Sequence, residues 1–222
     1  MRGERHRLLH EQMAVVAIAA TLLLCGCPST HTRSLAQPER VAVRGAYVHA
    51  ASKITMQENV AGFQRDTVSR YDADGLDVSA AYNLVTPSHR IAATVYVYPS
   101  PASTSIGSPP EVVARARAHL TEGEFERRKQ EMQHAHPEAT LVEQRDISRA
   151  DGGQSYPGKL AVFEYEEVFA GSRILVRSRL YLFCYVGGKW TVKYRFTHPK
   201  SEDVSREIQE FIQKWSWYGE GV

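Results

Sequence analysis

Three groups of residues in the 222-residue chain have types and spacings suited to chemistry. Gly153, Ser155 and Gly158 look like a nucleophile elbow, in which a serine sits on a sharp turn between a strand and a helix. The spacing here is G-x-S-x-x-G rather than G-x-S-x-G, and a strand pattern follows, so the segment reads as a loop. Glu131, His134 and His136 carry metal-ligating atoms. Two residues apart on a helix, His134 and His136 point about 200° from each other. Glu131 and His134 supply two ligands where catalytic zinc takes three, so no metal site is assigned and the histidines are expected to face solvent. Arg177, Arg179, Lys193 and Arg195 could hold an anion such as a lipid headgroup or a glycan. Strand alternation puts Arg177 and Arg179 on the Tyr181 side and Lys193 and Arg195 on the other, so one groove cannot use all four. Arg177 and Arg179 are kept as anion-binding candidates, against the alternative that Glu164 opposite Arg177 makes an ordinary cross-strand charge pair. No catalytic residue and no cofactor is assigned. Cys184 lies in an apolar run and is expected to be a small buried hydrophobe rather than a reactive thiol.

The elements that must position these residues follow from periodicity. Phe63 to Tyr71, Leu76 to Val85 and Arg90 to Tyr98 alternate as strands between turn-rich segments, which reads as an antiparallel meander. Ser108 to Glu111 matches a capping box, so a helix should run from there to about His134, with a thin apolar stripe of Val112, Val113, Ala116 and Leu120 that Phe125 and Met132 could extend, and with Gly123 as the point where it could kink or break. Thr140 to Ile147 is a strand candidate and Ala150 to Gly158 a loop. Leu160 to Phe169, Arg173 to Val186 and Lys189 to Thr197 form a second meander. A two-residue Gly187-Gly188 turn would pair Tyr185 with Trp190, Phe183 with Val192 and Tyr181 with Tyr194 on one aromatic face. A last helix beginning at Ser201 carries Val204, Ile208, Phe211, Ile212 and Trp215 on one stripe, which should pack on that face.

Hydrophobic residues make up 43% and charged residues 23%, which excludes a disordered or collagen-like chain. No run approaches about 18 uninterrupted apolar residues, so a multi-pass helical membrane protein is excluded. A net charge of +2 and a pI near 8.4 give no field that argues for nucleic acid.

Arg2, Arg5 and Arg7 precede the apolar run Met13 to Leu24, the order of an export signal. Leu24-Cys25-Gly26-Cys27 resembles the bacterial lipobox. The resemblance implies cleavage between Gly26 and Cys27, acylation of Cys27 and anchoring in a lipid bilayer. Without Asp after the cysteine, it implies the outer membrane, facing the periplasm. An ordinary signal peptide or an uncleaved anchor is the alternative. The expected organisation is therefore a signal peptide over 1–26, a lipidated N-terminus and flexible tether over 27–45, and a single globular domain over 46–222. With Cys27 acylated, Cys184 is left as the only free thiol, so no intrachain disulfide is expected.

The early meander, the middle helix, the later meander ending in W-x-V-K-Y-R-F-x-x-P (Trp190 to Pro199) and the closing amphipathic helix resemble the Mog1/PsbP-like fold, including small lipoproteins of the DcrB type. That resemblance implies an α+β domain in which an antiparallel sheet of about 6–7 strands is flanked by the two helices as an α/β/α sandwich. It also implies an accessory or binding module, with an envelope protein or glycan as partner. The alternatives are a small periplasmic hydrolase with an unrecognised site and a structural component of an envelope assembly.

Overall fold

β-Branched and aromatic residues recur at alternate positions in segments from both halves of the chain, and together they build one large sheet. A computed structural model describes residues 34–103 and 107–217. Cys27 and the proposed cleavage site lie outside the described residues.

In chain order the strands are β1 (Ser34–Val41), β2 (Tyr47–Val48), β3 (Thr55–Met56), β4 (Asn59–Val60), β5 (Phe63–Asp72), β6 (Val78–Val85) and β7 (Arg90–Pro99). Helix α1 (Pro110–Ala135) follows, then β8 (Thr140–Asp151), β9 (Gln154–Phe169), β10 (Ser172–Val186), β11 (Trp190–Pro199) and helix α2 (Ser205–Lys214). The fold is α+β with two helices as expected, but the antiparallel sheet has nine strands rather than about 6–7, in the order β1-β5-β6-β7-β11-β10-β9-β8 with β4 also on β5, because short edge segments join the meanders. β2 and β3 form a separate two-stranded sheet. The two meanders are joined where β7 pairs with β11, from Trp190 opposite Pro99 to Thr197 opposite Ala92.

Strand alternation sorts the core into two clusters. Tyr181, Phe183, Val192 and Tyr194 pack with Ile208, Phe211, Ile212 and Trp215 from the α2 region. Leu180, Leu182 and Cys184 pack with Phe125 and Met132 of α1. The stripe expected for the last helix is buried throughout, although α2 starts at Ser205 rather than Ser201. Asp203 instead accepts a hydrogen bond from the Ser205 amide at 3.2 Å. Cys184 is buried beside Thr191, and burial raises its thiol pKa, so it is a core residue as expected.

Several expectations need correction. The tether expected over 27–45 does not extend through Ser34–Val41, which is edge strand β1, with Val41 opposite Val68 and Glu39 paired to Arg70 at 2.5 Å. Its polar residues and Pro38 mask the period of two, and an edge strand tolerates both. The loop expected over Ala150 to Gly158 is a tight turn at Gly152 and Gly153, both with positive φ, between two long strands. Pro157 fits in β9 because only β8 pairs there; pairing with β10 begins at Lys159.

The capping box at Ser108 does not form. Pro109 is the N-cap, without a side-chain cap bond. The helix passes Gly123 unbroken. Of its expected stripe, Phe125 and Met132 are buried, together with Glu124 and Lys129, whereas Val112 is exposed. In the β10–β11 hairpin Phe183 faces Val192 and Tyr181 faces Tyr194 as expected, but Val186 rather than Tyr185 pairs with Trp190. A bulge at Tyr185, where φ is +61°, turns that ring to the α1 side.

Gly158 has no room for a side chain. A Cβ there would lie 2.5 Å from Phe183 Cδ1 and 2.8 Å from the Leu182 carbonyl oxygen. Gly158→Ala is expected to cost about 1–3 kcal/mol by overpacking. A urea melt checks this, and adding Phe183→Leu should recover part of the loss.

Candidate functional site

Beneath the second half of α1, three strands present polar residues on a face that is otherwise core. β11 projects Lys193 and Arg195 to this side while Val192, Tyr194 and Phe196 point to the α2 side. Tyr96 of β7 and Ser178 of β10 join them, and α1 adds Arg128 and Glu131 one turn apart. With Met132, Phe163 and Leu180 as apolar walls, they line a cavity of about 150 Å³.

The cations here differ in how they are satisfied. Arg128 donates to both Glu131 oxygens at 2.7 and 2.8 Å and to Glu124 at 2.7 Å, and its guanidinium stacks over the Tyr98 ring at 4.6 Å. Burial alone would raise Glu124, but hydrogen bonds from Arg127 and the charge of Arg128 hold its carboxyl below the usual range. Arg195 donates to Tyr165 Oη at 2.9 Å and Ser178 Oγ at 3.2 Å, and lies 3.3 Å from His136 Nε2. Lys193 places Nζ 3.8 Å from the centre of the Tyr96 ring. Neither Lys193 nor Arg195 forms an ion pair with a carboxylate among the described residues. Burial, and then the like charge of Arg128, lower Lys193 to about 8. Burial pushes nearby Asp77 up to about 6, opposed by the charges of Arg128 and Lys193.

The sequence candidates are distributed differently. Arg177 and Arg179 point to the α2 side, as alternation requires. Arg177 donates to Glu164 at 2.6 Å, and Lys200 holds the other Glu164 oxygen at 2.6 Å, so the cross-strand alternative describes it. Arg179 reaches Ser205 Oγ at 3.4 Å and also hydrogen-bonds the Tyr181 side chain. Neither lines the cavity under α1. His136 is not simply solvated: its ring stacks on Tyr165 at 4.1 Å, whereas His134 is exposed. Ser155 is an exposed residue of β9, with no elbow geometry around it. No group of three metal-ligating side chains occurs among the described residues.

Lys193 and Arg195 are legible in the sequence as cations on the face opposite Arg177 and Arg179. The signal that would have favoured them is two cations alternating with Val192, Tyr194 and Phe196 in a hairpin whose neighbours are buried on both faces. Arg128, Glu131, Tyr96 and Ser178 join them only through the β7–β11 and β10–β11 pairings and the placement of α1.

A second concavity, a groove of about 800 Å³, runs between β8 and α2, with Ile147, Phe183 and Ile212 among its lining residues. β8 is the edge of the sheet, paired only with β9. No family model and no curated protein matches the chain.

Proposed function

We propose that the protein is a membrane-anchored envelope lipoprotein, acylated at Cys27, that works as a non-enzymatic binding or accessory module. We further propose that its domain is a Mog1/PsbP-like α/β/α sandwich of the DcrB type. Support for the fold reading comes from the two meanders joined through β7 and β11 and from the two core clusters, one packed by each helix.

The observation that carries the functional reading is the cavity under α1. Its convergent polar groups are cations, a hydroxyl, a phenol and one carboxylate already bound to Arg128. Such a set recognises charge, and it lacks the hydrogen-bonded nucleophile and base that covalent catalysis needs. Anchoring through Cys27 would hold the module at the bilayer, with an envelope protein or glycan as its partner.

In-cell crosslinking followed by affinity isolation tests this reading. The wild-type protein is expected to incorporate labelled palmitate and to capture a consistent envelope partner, and Cys27→Ser should lose the label and accumulate as precursor. Retained labelling in Cys27→Ser would overturn the anchor. Turnover that survives purification and disappears on replacing Glu131 would favour the hydrolase alternative. A structural role in an envelope assembly is favoured by one feature, the open edge of β8 beside its groove, since an unpaired edge accepts a further strand. Crosslinks mapping to β8 would support that role.

A further inference from the structure

Two half-buried cations without a counter-ion are costly, because removing a charge from water is repaid only by a partner of opposite sign. Lys193 and Arg195 are in that position. Glu131 and Glu124, the acidic residues α1 brings close, are engaged by Arg128, and Glu124 also by Arg127. Asp77 is the remaining carboxylate near Lys193. Set against Asp77 and Glu131, the charges of Arg128, Lys193 and Arg195 leave a surplus of one positive charge at the cavity. Arg195 is also pre-oriented: Tyr165 and Ser178 hold its guanidinium so that a bound group would meet a fixed donor.

We propose that this cavity binds a compact oxyanion, a carboxylate or phosphate group, through Lys193 and Arg195. The inference rests on the reading of the protein as a binding module and names the chemical end of the ligand that the module recognises. The volume suits that class: a small cavity of about 150 Å³ has room for one oxyanion and some solvent. Tyr96 and Ser178 complete the site as neutral hydrogen-bonding groups. An anion there also favours the charged form of Lys193, so binding is coupled to a proton.

Sulfate is the probe, because it stays a dianion across the range in which Lys193 titrates. Of the other groups facing Lys193, burial pushes Tyr96 up to about 12 and Asp77 up to about 6; against its burial, the Tyr98 phenol and Glu131 hold Arg128 above its ordinary range, and Glu131 is itself engaged by Arg128. Calorimetric titration of the full chain is expected to show saturable sulfate binding at about pH 7 that weakens about tenfold or more by about pH 9.5. Lys193→Met and Arg195→Gln should each weaken binding about tenfold or more, while Arg177→Gln on the opposite face leaves it unchanged. Lys193→Arg should retain binding and lose the pH dependence, which a merely structural lysine would not produce.

Absence of sulfate binding at about pH 7, or binding that both Lys193→Met and Arg195→Gln leave intact, overturns the proposal. If Arg195→Gln does not fold, the two Lys193 variants decide. Competition then identifies the source of the anion. Phosphatidylglycerol vesicles would displace sulfate from a headgroup site, glycerol phosphate alone would mark a soluble phosphate, and acetate would mark a carboxylate. A protein that captures its envelope partner yet binds no sulfate loses this ligand class and keeps the binding reading. Specific turnover removes the binding reading whatever sulfate does.

Discussion

Phe211→Ala is expected to destabilise the protein by about 3–5 kcal/mol, the cost of emptying a fully buried aromatic site that cannot collapse. Phe211 is 0% exposed and lies edge-on or tilted to five other rings: Phe63 at 4.8 Å, Tyr82 and Phe196 at 5.4 Å, Trp215 at 5.6 Å and Tyr194 at 6.4 Å. These rings come from β5, β6, β11 and the end of α2, so the side chain joins the first meander to the second through the helix. Removing it leaves rigid walls on every side, and large rings held by their own neighbours relax little into a void. A chemical denaturation curve measures the loss, and Phe211→Leu should cost less than half as much. A loss below about 1 kcal/mol for Phe211→Ala would mean that α2 is not seated on the sheet as described.

Arg149→Met is expected to have an effect of similar size for a different reason. Arg149 is a buried cation at the end of β8: it donates to Tyr194 Oη at 2.7 Å, to Asp151 at 3.2 Å and to the Trp215 carbonyl, and its guanidinium lies 4.0 Å from the centre of the Trp217 ring. The same partners hold each other. The Trp217 amide donates to Asp151 at 3.0 Å, and its indole donates to Tyr194 Oη at 2.7 Å. Methionine replaces the stem but leaves Asp151 without its cation and the Trp215 carbonyl without a donor, a loss of about 3–5 kcal/mol. For a domain of this size that lowers Tm by about 10 °C. Arg145→Met, on the exposed part of the same strand, is the control and should change stability by less than about 0.5 kcal/mol.

The two variants differ in how far their sites can be read from the chain. Phe211 stands on a stripe with Val204, Ile208, Ile212 and Trp215 that any reading of helical period finds, and the stripe is buried because amphipathicity is a local property of the sequence. Arg149 follows Ile147 in a stretch that reads as the end of one strand and the start of a loop. Its partners Tyr194, Trp215 and Trp217 are more than forty residues away, and nothing local marks it as buried. The cavity under α1 was equally hidden, since its residues come from β7, α1, β10 and β11.

By itself the sequence determined the kinds of element and most of their places, because hydrophobic period and turn residues act over a few residues. It placed the two meanders, the middle helix, the closing helix, the pairing of Glu164 with Arg177 and the burial of Cys184. Only the tertiary structure decided which edges and faces those elements share. It drew Ser34–Val41 into the sheet as β1, turned Tyr185 across the sheet through a bulge, and continued two strands to the Gly152-Gly153 turn. It also placed Lys193 and Arg195, rather than Arg177 and Arg179, in the cavity under α1. The physical reason is the same each time: an edge strand, a bulge or an unpaired charge is stabilised by neighbours distant in sequence, and the energy of those contacts has no counterpart in the local pattern.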